Sequence, residues 1–402
     1  MNKWLTIIGM GEDGWEGLSN RARVTIKQAE VIIGSPRLSA LLPKLKVELL
    51  EWPQPFSAVE TLITPLRGRN TVVLASGDPS NFGTARKLRS FIPFHEMTII
   101  PHVSAFAQAA ARMGWSIPDC DCATIHGRPA AWFETLIQPD TKIILLTEDE
   151  TSVAEVCRRL VARGFENSIV TVLENMSGPT ERTTSFAANA LPDAQWSPFN
   201  TLAIHCIASP NAKIYSRVGG LPDEAFIHDG QMTKREVRAA TLAALAPAPD
   251  QLLWDIGAGC GSVAIEWMRS TRGVECCAIE PNAERRAMIA ANMDHLGAPR
   301  LKVIEGTAPQ ALAGLAAPHA IFIGGGLSDA GVFEAAWAAL KAGGNLVANV
   351  VTLEGERQLI NLQEQYGGDL VRMDISNLTK VGDLRAMRPR MSVLQWRVQK
   401  PW

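Results

Sequence analysis

The apolar run Leu252-Leu253-Trp254-Asp255-Ile256 passes directly into Gly257-Ala258-Gly259-Cys260-Gly261, and a helical pattern begins at about Ser262. A strand that ends on three alternating glycines and restarts as a helix constrains the fold more than any other stretch of this chain. Glycine removes the Cβ that would hold a ligand away from the backbone, and a loop of this kind at a strand end belongs to doubly wound α/β sheets. The next strand-like run, 275–279, leads to Glu280, a position from which an acid grips ribose hydroxyls. Three readings of the loop compete: an S-adenosylmethionine site, a dinucleotide site, and a tight turn with no ligand. A dinucleotide site asks for G-x-G-x-x-G with pyrophosphate facing a helix N-terminus. Here Ser262 stands in place of the third glycine, and a sulfonium donor, which carries no phosphate, does not need it.

The pattern around this loop predicts one compact α/β domain over 223–402. Thr233, with Glu236 three residues on, reads as a capping box for a helix through Leu245. Strands are expected at 252–256, 275–279, 301–304, 320–323, 346–351 and 391–397, with helices over 262–269 and through Met293. Upstream, residues 210–222 carry Pro210, Gly219, Gly220 and Pro222 and read as an exposed linker. Residues 1–209 form a second α/β domain in this reading. Apolar strand-like runs at 4–8, 31–33, 72–75, 98–100, 143–146, 169–173 and 202–207 alternate with helical stretches at 21–29, 105–113 and 153–163. Such alternation predicts a largely parallel sheet.

Within the first half, Gly9-Met10-Gly11-Glu12-Asp13-Gly14 matches G-x-G-x-x-G literally. Glu12 and Asp13 would repel a pyrophosphate, so a plain turn remains open as an alternative. Two further rigid turns follow strands: Ser76-Gly77-Asp78-Pro79 with Gly83, and Pro101-His102-Val103-Ser104-Ala105.

These motifs carry two resemblances. The second half is similar to the class I methyltransferases, most closely the precorrin methylase/decarboxylase domain, on Met232-Thr233-Lys234-Arg235-Glu236-Val237-Arg238, the glycine loop, Glu280-Pro281-Asn282, Gly306-Thr307-Ala308-Pro309 and Ile323-Gly324-Gly325-Gly326. The resemblance implies donor contacts at Thr233, Gly257, Ala258, Gly259, Cys260, Gly261, Glu280 and Ala308. The first half resembles the class III tetrapyrrole methylases, a two-lobed fold with the donor in the cleft, which implies contacts at Gly77, Asp78, Pro79 and Ser104. His102 and Ala105 depart from that family's usual glycine and serine. One chain joining both domain types resembles the precorrin-6Y methyltransferase (decarboxylating) family of aerobic cobalamin synthesis. That resemblance implies methylation of a macrocycle at carbons 5 and 15, with loss of the ring C acetate carboxyl as carbon dioxide.

Composition bounds the alternatives. Lys+Arg number 39 against Asp+Glu 41, which gives no basic face for nucleic acid. No apolar run approaches the roughly 18 residues of a membrane span, and the first residues stop being apolar too early for a signal peptide, so a cytoplasmic protein is expected. The seven cysteines include Cys120, Cys122 and the adjacent Cys276 and Cys277 but no C-x-x-C, which favours reduced buried thiols over a metal site or disulfides. No Ser-His-Asp or Cys-His arrangement is evident, so no catalytic residue is assigned. Arg37, Arg112, Arg128, Arg235 and Arg388 are candidates for substrate carboxylates, and His126 and His228 for proton transfer. For each, an ordinary structural or solvated role is the alternative. The expected partner is a small-molecule tetrapyrrole, with the chain as a homo-oligomer. An NAD-dependent tetrapyrrole oxidoreductase and a non-catalytic tetrapyrrole carrier are the rival functions.

Overall fold

The structure, a computed structural model, describes residues 3–402; Met1 and Asn2, where the expected first domain begins, lie outside the described residues. The chain divides into two compact units. The first runs to Ala130 and includes Leu136–Ile214; the second comprises Ala131–Thr135 and Tyr215–Trp402.

The first unit contains two five-stranded sheets. Strands β1 (Leu5–Met10), β2 (Val31–Gly34), β3 (Glu48–Glu51), β4 (Thr71–Ser76) and β5 (Met97–Ile100) form an all-parallel sheet in the order β3-β2-β4-β1-β5. Both faces are covered, which is why β1, β2 and β4 are nearly continuous apolar runs. The second sheet orders β6 (Cys120–Thr124), β7 (Lys142–Leu146), β8 (Ile169–Glu174), β9 (Arg182–Ala187) and β10 (Asn200–His205) as β6-β7-β10-β8-β9. The expectation of a largely parallel arrangement fails here: β10 is antiparallel to both β7 and β8, and β9 is antiparallel to β8. The β8–β9 connection is short, and a parallel pairing needs a long crossover. The helix Ala105–Met113 has the bounds expected for it, capped by Ser104, whose hydroxyl accepts from the Ala107 N–H at 3.2 Å.

The second unit is built on a seven-stranded sheet. Its strands are β11 (Leu252–Ile256), β12 (Glu275–Glu280), β13 (Lys302–Glu305), β14 (Ala320–Ile323), β15 (Asn345–Val350), β16 (Asp369–Met373) and β19 (Val393–Gln399), in the order β13-β12-β11-β14-β15-β19-β16. The first five are parallel, while β19 runs antiparallel between β15 and β16. A separate hairpin, β17 (Ser376–Val381) with β18 (Leu384–Pro389), is mostly exposed. Apolar cores lie on both faces of the large sheet, one around Trp267 and Phe322, the other around Trp254, Phe333 and Trp396.

Two local expectations are corrected. Thr233 does not cap the helix Arg235–Leu245; Lys234 takes the N-cap position without a side-chain bond. The Thr233 carbonyl instead accepts from Arg238 at 2.6 Å, and Glu236 pairs with Arg390 at 2.9 Å. The first contact is local, within the helix's own first turn; the second is tertiary, and it takes Glu236 away from the capping role that the spacing suggested. Residues 210–222 are not an exposed tether throughout: Tyr215 and Leu221 are buried in the second unit's core. The Tyr215 carbonyl accepts from the buried Arg269 at 2.8 Å, and the Gly220 and Leu221 N–H groups donate to Glu266 at 2.6 and 2.9 Å.

Two candidate donor sites

Parallel strands place all their C-terminal ends on one edge of a sheet, and ligands settle where the strand order reverses. In the second unit Ile256 of β11 stands level with Ile279 of β12 and Ile323 of β14, and Glu280 with Glu305. Following these ends come Gly257-Ala258-Gly259 of the glycine loop, Pro281, Gly306-Thr307-Ala308 and Gly324-Gly325-Gly326. They line a cavity of about 760 Å³, which also takes in Met232, Thr233, Lys234 and Arg390. Gly257 has φ +74°, and a Cβ there would lie 2.9 Å from the Gly325 nitrogen. Glycine is therefore required on both counts.

Glu280, only 3% exposed, accepts the Gly259 N–H at 2.7 Å and the Asn282 N–H at 3.0 Å, so it fixes the glycine loop to the end of β12. Thr233, Gly257, Ala258, Gly259, Glu280 and Ala308 all line the cavity. Cys260 and Gly261 do not: the Cys260 side chain packs into the core, where burial pushes its thiol up to about 11. Its carbonyl accepts from the buried Asn292 amide at 3.0 Å.

Asp255 joins the site although no sequence expectation fell on it. It is fully enclosed at the cavity floor, with Oδ2 accepting from the Ala264 N–H at 3.0 Å and Oδ1 without a hydrogen-bond partner. Burial, helped by the neighbouring Glu280 carboxylate, pushes its carboxyl up to about 7 against the lowering effect of the Ala264 N–H. Its sequence signal is an acid at the end of a buried strand, immediately before a glycine loop. Because this group holds its proton longer when folded than the ordinary value of 3.8 allows, the ligand-free unit loses stability as pH rises through the window from about 4 to 7. The full loss is on the order of 4 kcal/mol. Asp255→Asn should flatten that dependence in thermal unfolding of the full chain between pH 4.5 and 8. Parallel curves for the two proteins would refute this account.

The first unit repeats the scheme. Met10 of β1 stands level with Ser76 of β4, and Ile8 with Ile100 of β5. The turns after β1, β4 and β5 meet at a cavity of about 660 Å³ lined by Gly11, Glu12, Gly77, Asp78 and Ser104. Pro79 is buried beside it and does not line it. The second sheet closes the opposite side: antiparallel β10 starts, at Asn200 and Thr201, level with the ends of β7 and β8. Thr147, Glu148, Asn175, Asn200 and Thr201 therefore join the lining. Gly77 has φ +60°, and its N–H donates to the Met10 carbonyl at 2.9 Å, which ties the two turns together.

The candidate arginines and histidines separate. Arg37 pairs with Glu12 and lies 4.0 Å from the Phe199 ring centroid; Arg112 is held by Glu181. Arg128 lines the first cavity, and so does His126, 3.4 Å from Glu148. Arg235 and Arg388 are exposed and line neither cavity, and His228 accepts the Gly230 N–H at 2.9 Å. Sequence reasoning missed Arg390 and Met391, brought to the second cavity from beyond the hairpin.

Comparison with known proteins places each unit. Residues 4–191 match the family described as tetrapyrrole (corrin/porphyrin) methylases, and residues 224–400 match a precorrin methyltransferase domain. A precorrin-6Y C(5,15)-methyltransferase [decarboxylating] from Sinorhizobium sp is 42% identical over 397 residues, 98% of this chain and 96% of its own. Two Salmonella typhimurium relatives are half as long in their match. The cobalt-precorrin-7 C(5)-methyltransferase is 30% identical, covering 44% of this chain and 88% of its own. The cobalt-precorrin-6B C(15)-methyltransferase (decarboxylating) is 29% identical, covering 45% of this chain and 96% of its own. With one relative matched at this identity along nearly the whole length of both chains, and with a methylase model on each unit, the chain belongs to the precorrin-6Y C(5,15)-methyltransferase (decarboxylating) family.

Proposed function

We propose that this chain is two methyltransferases in tandem, 1–209 and 223–402 joined through 210–222, that act on one macrocycle. The substrate is precorrin-6Y, methylated at carbons 5 and 15 with loss of the ring C acetate carboxyl, giving precorrin-8X for cobalamin biosynthesis. The observation that carries this reading is the duplicated design: one glycine-walled cavity in each unit, at the C-terminal ends of parallel strands where the strand order reverses.

S-adenosylmethionine would supply an electrophilic methyl carbon at each site. The residues fit such a donor. Gly257 to Gly259 leave the backbone open, Glu280 retains acceptor capacity toward ribose hydroxyls, and the unpartnered Asp255 Oδ1 offers a buried acceptor to a cationic group. We assign donor contacts to Thr233, Gly257, Ala258, Gly259, Glu280 and Ala308 in the second cavity, and to Gly77, Asp78 and Ser104 in the first. The chain's work is to hold donor and macrocycle in line and to keep water out. An electron-rich ring carbon needs no dedicated strong base.

Decarboxylation fits the second cavity. When the carboxyl leaves as carbon dioxide, its bonding electrons stay on the acetate methylene carbon, where the conjugated macrocycle delocalises them until a proton completes a methyl group. A dry pocket that orients the acetate suffices.

Calorimetry with S-adenosylhomocysteine should give a stoichiometry near two per chain, and the product mass should show two added methyl groups and one lost carbon dioxide. A clean stoichiometry of one in well-folded protein defeats the tandem reading; NAD binding in its place would favour the oxidoreductase. Among the described residues no helix is long and apolar enough to cross a membrane. In this reading the chain works in the cytoplasm as a homo-oligomer, which fractionation and light scattering test.

A further inference from the structure

Phe82 departs from what its residue type prefers. It has φ +57°, is 48% exposed, and lines the first cavity six residues after the end of β4. Bulky side chains rarely adopt positive φ, and residues held there cluster at ligand clamps. The loop that carries Phe82 is the one that carries Gly77 and Asp78, so the ring shares the cavity with the proposed donor turn. Beneath it lies the buried Phe106, with ring centroids 5.7 Å apart, at the start of the helix that Ser104 caps.

Arg128 reaches Phe82 from the other sheet. It follows β6, and its guanidinium carbon lies 5.2 Å from the Phe82 ring centroid, within cation–π range. The pair spans the first unit's cleft, one partner from each sheet. Phe56 and Phe199, both partly exposed, also line this cavity, and Lys87 lies on the same wall. The acidic residues on the same lining are Asp78, which accepts from the Ser80 N–H at 2.8 Å, Glu148, which accepts from the Gly127 N–H, and Glu12, which is paired with Arg37. A rim of exposed aromatic rings with cations beside them suits a flat conjugated body edged with carboxylates.

We propose that Phe82 and Arg128 are substrate-positioning residues of the first unit. The Phe82 ring stacks on one face of the macrocycle, and Arg128 exchanges its place over that ring for a ring carboxylate. This orients the reacting carbon toward the donor turn. The inference rests on the reading of the first unit as a macrocycle methylase.

The test uses the full chain with precorrin-6Y, scoring methyl gain and carbon dioxide loss separately by mass. Phe82→Ala and Arg128→Ala should each raise KM for the first unit's methylation roughly tenfold, the scale of one lost stacking or charged contact. Phe82→Tyr should retain it. Binding of S-adenosylhomocysteine should keep a stoichiometry near two with unchanged affinity, and carbon dioxide release should persist. Phe94→Ala, at an exposed ring away from the cavity, serves as control. Unchanged KM in the Ala variants overturns the proposal, as does lost donor affinity, which would make Phe82 part of the donor turn alone. If the unaltered chain adds a single methyl group to precorrin-6Y, the tandem reading itself has failed.

Discussion

Gly257→Val in the full chain should abolish the second unit's methyl transfer and lower the donor stoichiometry from two to one. At φ +74° any side chain is strained, and the new Cβ would sit 2.9 Å from the Gly325 nitrogen and 3.0 Å from its Cα. The neighbour at that point is the Gly325 backbone, which cannot swing aside as a flexible side chain would. Strain of roughly 1–2 kcal/mol adds to the overlap. Donor affinity at the second cavity should fall by roughly two orders of magnitude or more. The first cavity is made by residues of the other unit and should bind normally, which confines the loss to the second unit. The chemical readout is methyl gain: a product that still carries two added methyl groups while the second cavity cannot bind donor would place that transfer elsewhere.

Glu280→Ala should weaken donor binding in the second cavity by about 1.5–3 kcal/mol, the range for a hydrogen bond to a charged group. Part of that loss comes through the loop. The side chain accepts the Gly259 and Asn282 N–H groups at 2.7 and 3.0 Å, and its removal leaves both donors without this partner. Glu280→Gln keeps one acceptor oxygen and loses the charge, so it should fall between wild type and Ala. The readout is calorimetric affinity at each site separately. Equal weakening at both sites would mean that Glu280 acts through overall folding. Equal affinity in Gln and wild type would remove the charge from the explanation.

The elements legible in the sequence are those whose strand or helix character is written in their own residues. β11 and β14 have the bounds expected for them because each is a buried, largely apolar run, interrupted in β11 by Asp255 alone. The helix Ala105–Met113 was readable because a serine begins it and a glycine at φ +63° ends it. The glycine loop, Glu280 and the Gly77 turn were readable for the same local reason: a close ligand approach after a strand demands small residues at fixed offsets.

The unread elements are those whose state depends on a partner strand and not on their own residues alone. β3, β9, β16 and the β17–β18 hairpin are short and largely exposed, and their alternation is too polar to mark them as strands alone. Each exists because a neighbouring strand completes its hydrogen bonds. The capping box at Thr233 failed in the same way: Glu236 finds Arg390, 154 residues on. The cavities follow this division. Sequence supplied the loops at the parallel strand ends. Tertiary structure decided that Cys260 turns inward, that Arg390 and Met391 reach the second cavity, and that Arg128 meets Phe82 across the first. A loop's residues fix its local shape, but only the packing of separate segments determines which other side chains share its cavity, and no spacing in the chain encodes that distance.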